Sequence, residues 1–84
     1  MEKLSDLINI GKVSEKQLND IGIYSLKELK EIGSREAWLK IKEKDPSTCI
    51  NKLRAFEGAI QGVKKNLLND NTKKSLNDFY REFK

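Results

Sequence analysis

The stretch that decides the fold reads LINIGKVSEKQLNDIGIYSLKELKEIGSREAW and spans residues 7–38. Three glycines, Gly11, Gly22 and Gly33, divide it into short segments, and a serine follows each glycine within three residues. Glycine is typical of the residue just past a helix end, and serine is typical of the residue that caps a helix start. The pattern therefore predicts short helices over residues 15–21, 26–32 and 35–44, joined by tight corners.

Serine side chains are predicted to cap each of these helices, at Ser14, Ser25 and Ser34. Ser25 also stands three residues before Glu28, which is the spacing of a capping box. The helix over 35–44 carries Ala37, Trp38 and Ile41 on one side, and we expect this side to face the core.

A short helix over residues 4–8 is predicted at the start of the chain. Two more helices are predicted after the quoted stretch. Asp45-Pro46 is predicted to open the longer of them, because proline is well tolerated in the first turn. Two stripes run along this central helix: an apolar stripe of Cys49, Leu53, Phe56, Ile60 and Val63, and a stripe of small residues formed by Ala55, Gly58, Ala59 and Gly62.

From these stripes we expect a buried thiol at Cys49 and another helix backbone packed closely against the small residues. The last helix is predicted to start at a cap formed by Asp70 or Asn71. Its apolar face comprises Leu76, Phe79, Tyr80 and Phe83, which recur at helical spacing.

Length and composition indicate one small domain over residues 1–84. The chain has 84 residues, of which 37% are hydrophobic and 36% charged. This balance is too apolar for a typical disordered chain and too polar for a membrane span, and residues 1–6 do not resemble a signal peptide. We therefore expect a cytoplasmic all-α protein, a compact bundle of about five to six short helices that does not enter a membrane.

The inventory of reactive side chains argues against an enzyme. The chain has no histidine and a single cysteine, so zinc sites, histidine-based triads and an intrachain disulfide are excluded. No P-loop or serine-nucleophile pattern is present. We expect no catalytic residues, no metal, no cofactor and no small-molecule substrate.

The segment with a recognisable binding mechanism is residues 7–13, LINIGKV, between two predicted helices. It resembles the hairpin of helix-hairpin-helix DNA-binding motifs, in which backbone N–H groups at a helix start hold phosphate. Ile8 and Asn9 stand where that motif has proline and glycine, but asparagine also adopts left-handed backbone. The candidate nucleic-acid-binding residues here are Asn9, Ile10, Gly11 and Lys12.

The ordered set of stretches 7–18, 21–23, 26–29, 33–38, 49–53 and 57–62 resembles the C-terminal domain of the TfoX (Sxy) family. The resemblance covers nearly the whole chain. It implies a helix-hairpin-helix or SAM-like fold and a role in regulating competence genes, where TfoX proteins act with the cyclic-AMP receptor protein. Full-length members carry a further N-terminal domain, which these 84 residues do not contain. The chain is then either a stand-alone relative or an excised fragment, and we expect a stand-alone relative.

Charge distribution separates two hypotheses for the partner. Residues 1–46 contain nine basic and nine acidic residues, whereas residues 47–84 contain eight basic and four acidic ones. A DNA-binding hairpin should concentrate positive charge, and this hairpin lies in the neutral half. The sequence therefore favours a protein-interaction module that contacts the transcription machinery. The alternative is sequence-independent DNA binding through the hairpin backbone and basic residues of the second half, with Lys64 and Lys65 as candidates.

Overall fold

The computed structural model describes residues 4–83, except for the side chain of Ser5. Over this range the chain is all-helical, which confirms the predicted fold class. Two short 3-10 turns, Leu4–Asp6 and Lys65–Leu67, accompany five α-helices: α1 (Lys12–Asp20), α2 (Leu26–Ile32), α3 (Ser34–Lys44), α4 (Ile50–Gln61) and α5 (Asp70–Phe83). No helix in the described part of the chain is both long and apolar enough to cross a membrane.

Glycine ends the helices where the sequence predicts it. Gly22 and Gly33 have φ values of +88° and +86°, a region of backbone space that other residues rarely enter. The predicted capping box also forms, because the Glu28 N–H donates to Ser25 Oγ over 3.2 Å. One detail differs, since the Glu28 carboxylate accepts from the N–H of Tyr24 rather than from that of Ser25.

The other two serine caps are wrong. Ser14 lies inside the first turn of α1, and Ser34 is itself the first residue of α3, so both helices start directly after a glycine. Each hydroxyl instead forms a hydrogen bond with a side chain that is distant in the sequence. Ser14 Oγ accepts from Lys52 Nζ over 2.8 Å, and Ser34 Oγ donates to Glu57 Oε1 over 2.7 Å. Charged partners make stronger hydrogen bonds than backbone amides do, which explains the exchange.

The prediction that Asp45-Pro46 opens a helix is also wrong. Asp45 Oδ1 accepts from the N–H of Ser47 over 3.1 Å, which closes a local turn that competes with helix formation. The α4 helix therefore begins only at Ile50, with Cys49 at its N-cap.

The two terminal elements also begin or end differently from the prediction. The predicted helix over residues 4–8 is a 3-10 turn that ends at Asp6. The cap of α5 is Asn69, not Asp70 or Asn71, because Asn69 Oδ1 accepts from the N–H of Thr72 over 2.8 Å.

The core is built around Trp38, which is fully buried. Its ring meets those of Phe79 and Tyr80 edge-on, with centroids 6.1 and 5.6 Å away. Its Nε1–H donates to the Cys49 carbonyl over 3.0 Å, which satisfies the one polar group of the side chain. The other fully buried large side chains are Phe56, Leu18, Leu29, Ile41, Leu53 and Leu76.

The central position of α4 is confirmed, since it packs against α2, α3 and α5. Its small-residue stripe is only partly as predicted. Ala55, Gly58 and Ala59 are buried, but Gly62 ends the helix in left-handed conformation, with φ at +76°. The prediction of a buried thiol is wrong, because Cys49 at the start of the helix is exposed.

Candidate anion-binding surface

The hairpin turns at Asn9, which has a φ of +71°. Among residues 4–83 it is the only non-glycine residue with positive φ, so asparagine takes the place that glycine has in the related motif. Its side-chain amide Nδ2 donates to the Val63 carbonyl over 2.9 Å, and its Oδ1 accepts from the Lys65 N–H over 3.1 Å. One amide thus joins the hairpin to a segment more than 50 residues further along the chain.

Gly58 provides the space for this bridge. A Cβ atom at position 58 would overlap Asn9 Nδ2 and would lie 2.7 Å from the Val63 carbonyl oxygen. The predicted close approach to the small-residue stripe therefore exists, but the group that approaches is a side-chain amide and the turn after α4, not another helix.

The bridge brings together the two groups of candidate residues that the sequence keeps apart. Gly11, Lys12 and Lys64 are exposed, and Lys65 is half-buried beside Asn9. Ile10 differs from the rest, because its side chain is 4% exposed and its N–H donates to the Leu7 carbonyl. The side chain and the N–H of Ile10 thus both make contacts within the domain.

A cavity of about 270 Å³ opens beside the bridge. None of its lining residues is acidic and two are lysines; the lining comprises Asn9, Ser14, Cys49, Asn51, Lys52, Ala55 and Lys65. The residues that sequence reasoning missed are Ser14 and Lys52. They are 38 positions apart, and Ser14 matches the pattern of a helix cap, so no local signal relates them.

Two helix starts meet at this cavity. Ser14 belongs to the first turn of α1, and Cys49, Asn51 and Lys52 belong to the start of α4. Neither helix has a side-chain cap, as far as residues 4–83 show. The first N–H groups of a helix lack intrahelical acceptors and carry partial positive charge, so both helices add to the positive potential of the lysines.

Asp45 is a carboxylate close enough to interact with Lys52. The pKa of Asp45 is lowered below its ordinary value of 3.8, chiefly by hydrogen bonds from the side chain and backbone of Ser47 and to a smaller extent by the charge of Lys52. Asp45 does not line the cavity, and its carboxylate already accepts hydrogen bonds from Ser47.

A second concave surface lies along a different face of α1. Its volume is about 420 Å³, and its apolar lining is formed by Ile21, Ile41 and Val13, of which Val13 is 70% exposed. Two lysines and two aspartates stand at its rim, Lys16, Lys44, Asp20 and Asp45. This mixed charge favours no particular sign of ligand. Within the described residues no group of three or more His, Cys, Asp or Glu side chains could hold a metal ion.

Fold and surface together define a small all-helical domain in which a hairpin and two helix starts surround a positively charged cavity. The chain belongs to the TfoX C-terminal domain family, whose model matches residues 1–80. The predicted family resemblance is thereby confirmed, and the family is one of non-catalytic domains.

Two crystal structures of proteins from Listeria monocytogenes, one in a triclinic and one in a tetragonal form, are closely similar to this chain. The triclinic form, described as an uncharacterized protein, superposes with a TM-score of 0.94 at 44% identity and covers 96% of this chain and 92% of its own. The tetragonal form, described as a protein of unknown function, has a TM-score of 0.93 at 44% identity, with 96% and 99% covered. The comparison with curated proteins found no match.

Proposed function

We propose that this domain is a non-enzymatic regulatory module that binds the phosphate backbone of DNA without reading its sequence. The hairpin and the lysines around it form the contact surface. The transcriptional setting, and with it the link to competence, is proposed from the family resemblance. Contacts of this kind fix the position of a protein on a duplex but carry no base information.

The observation that supports this proposal is the double hydrogen bond of Asn9 to Val63 and Lys65. In the sequence, the neutral charge of residues 1–46 argued against a DNA-binding hairpin. The Asn9 bridge, however, brings Lys65 of the second half next to the hairpin. Lys52 and Lys65 come from that half and line the cavity beside the hairpin, which supports DNA binding in spite of the neutral charge of residues 1–46.

The test is an NMR titration of the 15N-labelled domain with a duplex of about 12 base pairs at low and at physiological salt. We expect shifts at Gly11, Lys12 and Lys64 that diminish as salt rises, because neutralising each phosphate releases counterions. The double variant K12Q/K64Q should weaken binding and reduce the salt slope by about 1 for each lysine–phosphate interaction that it removes.

The matched control is K27Q/K30Q, which removes the same charge from lysines of α2. If both double variants weaken binding equally, only net charge matters and the hairpin surface is not the site. An absence of shifts even at low salt would refute DNA binding altogether.

A second function, contact with a protein of the transcription machinery, is favoured by the groove at Val13. A valine that is 70% exposed beside Ile21 and Ile41 provides apolar surface that a protein partner would cover. Val13→Ser removes this surface without touching the cavity lining. Loss of a protein partner in a pull-down with V13S, together with unchanged DNA titration, would assign the groove to protein contact; retention of the partner would exclude it.

A further inference from the structure

We propose that the cavity between the first turns of α1 and α4 binds one phosphate monoester, such as the terminal phosphate of a nucleic-acid strand. The inference rests on the proposed function, since both involve the same surface. It goes further by naming the ligand group and a pocket, around Lys52 and Ser14, that backbone binding does not require.

The contact between Lys52 and Ser14 carries the inference. Lys52 Nζ lies 2.8 Å from Ser14 Oγ, and both residues line the cavity, so the ammonium group is held at its wall. An ammonium group has three N–H bonds, of which Ser14 accepts one. Because Ser14 Oγ acts as the acceptor, its own O–H proton remains available to donate to an anion.

The charge of the lining matches a dianion better than a monoanion. Lys52 and Lys65 contribute two positive charges, the nearby Asp45 carboxylate offsets part of that of Lys52, and no acidic residue lines the cavity. A phosphate monoester carries about −1.5 to −2 charges at pH 7, since its second pKa is near 6. A phosphodiester inside a strand carries one charge, so it would leave part of the positive charge uncompensated.

The size of the cavity also suits a phosphate group with part of its hydration shell. Its volume of about 270 Å³ corresponds to roughly nine water molecules at their share of liquid volume. A further donor group lies at the same wall, because Asn51 lines the cavity and its side-chain amide carries two N–H bonds.

The experiment compares two duplexes of about 12 base pairs that differ only in carrying a 5′-phosphate or a 5′-hydroxyl, by fluorescence anisotropy at one fixed salt concentration. We expect the phosphorylated duplex to bind about tenfold tighter, the effect of one additional charge-assisted hydrogen bond. K52Q should reduce this ratio towards one. If K52Q does not fold, K65Q serves the same purpose, because only the backbone N–H of Lys65 takes part in the Asn9 bridge.

The matched control is K12Q/K64Q, which removes two exposed lysines that do not line the cavity. This variant should weaken the binding of both duplexes and leave their ratio unchanged. Equal affinities of the two duplexes for the wild-type domain would overturn the inference while leaving backbone binding intact. A ratio that survives in both K52Q and K65Q would overturn the placement in this cavity.

A parallel NMR titration with adenosine monophosphate separates the failure of this inference from that of the proposed function. One outcome is that the nucleotide shifts the signals of Ser14, Asn51 and Lys52, that K52Q abolishes these shifts, and that the domain binds neither duplex. This outcome would support the phosphate pocket with a free nucleotide as its ligand and would refute DNA binding. No shifts with the nucleotide and no preference between the duplexes would overturn the pocket.

Discussion

Replacing Gly58 with alanine tests the bridge on which the surface depends. The added methyl group would overlap the amide of Asn9 and lie 2.7 Å from the Val63 carbonyl oxygen. Moving either group away is costly, because the Val63 carbonyl belongs to the main chain and the Asn9 amide makes two hydrogen bonds. The hairpin and the turn after α4 must therefore move apart.

The expected size of the effect combines three contributions. Overpacking of a buried site costs about 1–3 kcal/mol. Loss of the two hydrogen bonds of Asn9 adds about 0.5–1.5 kcal/mol each. Alanine in place of glycine inside a helix returns about 1 kcal/mol. The free energy of unfolding should thus fall by roughly 1–5 kcal/mol, and for a domain of this size each kcal/mol corresponds to about 4–8 °C in Tm.

The assay is thermal and urea unfolding followed by circular dichroism, with two reference variants. G11A is the glycine control, because Gly11 has an ordinary φ and a Cβ there would meet no atom within 4 Å. N9A removes the amide that the new methyl group would strike, so G58A should cost less in the N9A background than in the wild type. A G58A domain as stable as the wild type, or a cost that is the same with and without the Asn9 amide, would refute the assigned reason for glycine at this position.

Three further changes test other parts of the structure. W38F removes the donor to the Cys49 carbonyl and leaves a small void in the core, so urea unfolding should show a loss of about 1–3 kcal/mol; an unchanged midpoint would contradict the central role of this side chain. Cys49 is exposed, so a thiol reagent should modify it completely in the native domain. Modification that occurs only in denaturant would show that the thiol is buried. The pKa of Asp45 is lower in the folded state than its unfolded value near 3.8, so the charged carboxylate stabilises the fold above that value, and this contribution is lost as the pH falls through the folded-state pKa. The stability of D45N should therefore approach that of the wild type below about pH 4. A difference in stability that stays constant across that range would exclude the mechanism.

The lysines near the hairpin show how much of the candidate site depended on tertiary structure. Residues 7–13 were recognisable as a hairpin because asparagine and glycine can turn the backbone locally. Their electrostatic setting was not recognisable, because Lys52 and Lys65 come from distant parts of the chain. A charge count along the sequence assigned the hairpin to a neutral region, and the Asn9 bridge joins it to the basic half.

What the sequence determined by itself is the set of α-helices and the glycines that end α1 and α2. The helical spacing of apolar residues such as Leu29, Trp38 and Leu76 predicts which side of each helix is buried. Gly22 and Gly33 favour positive φ and so mark helix ends. Both signals lie within a few residues of the feature that they predict. The absence of histidine also follows from the sequence alone, and it excludes whole classes of chemistry in any fold.

What only the tertiary structure decided is how polar groups are used once helices pack. Ser14 and Ser34 match the cap pattern, yet each bonds to a residue of α4, because a charged partner brought close by packing competes with the local amide. Cys49 matches the apolar stripe, yet it is exposed, because the turn at Asp45 delays the start of α4 and leaves Cys49 at its N-cap. Partners far apart in the sequence are chosen by the packing of the whole chain, and no pattern within a helix-length window can predict them.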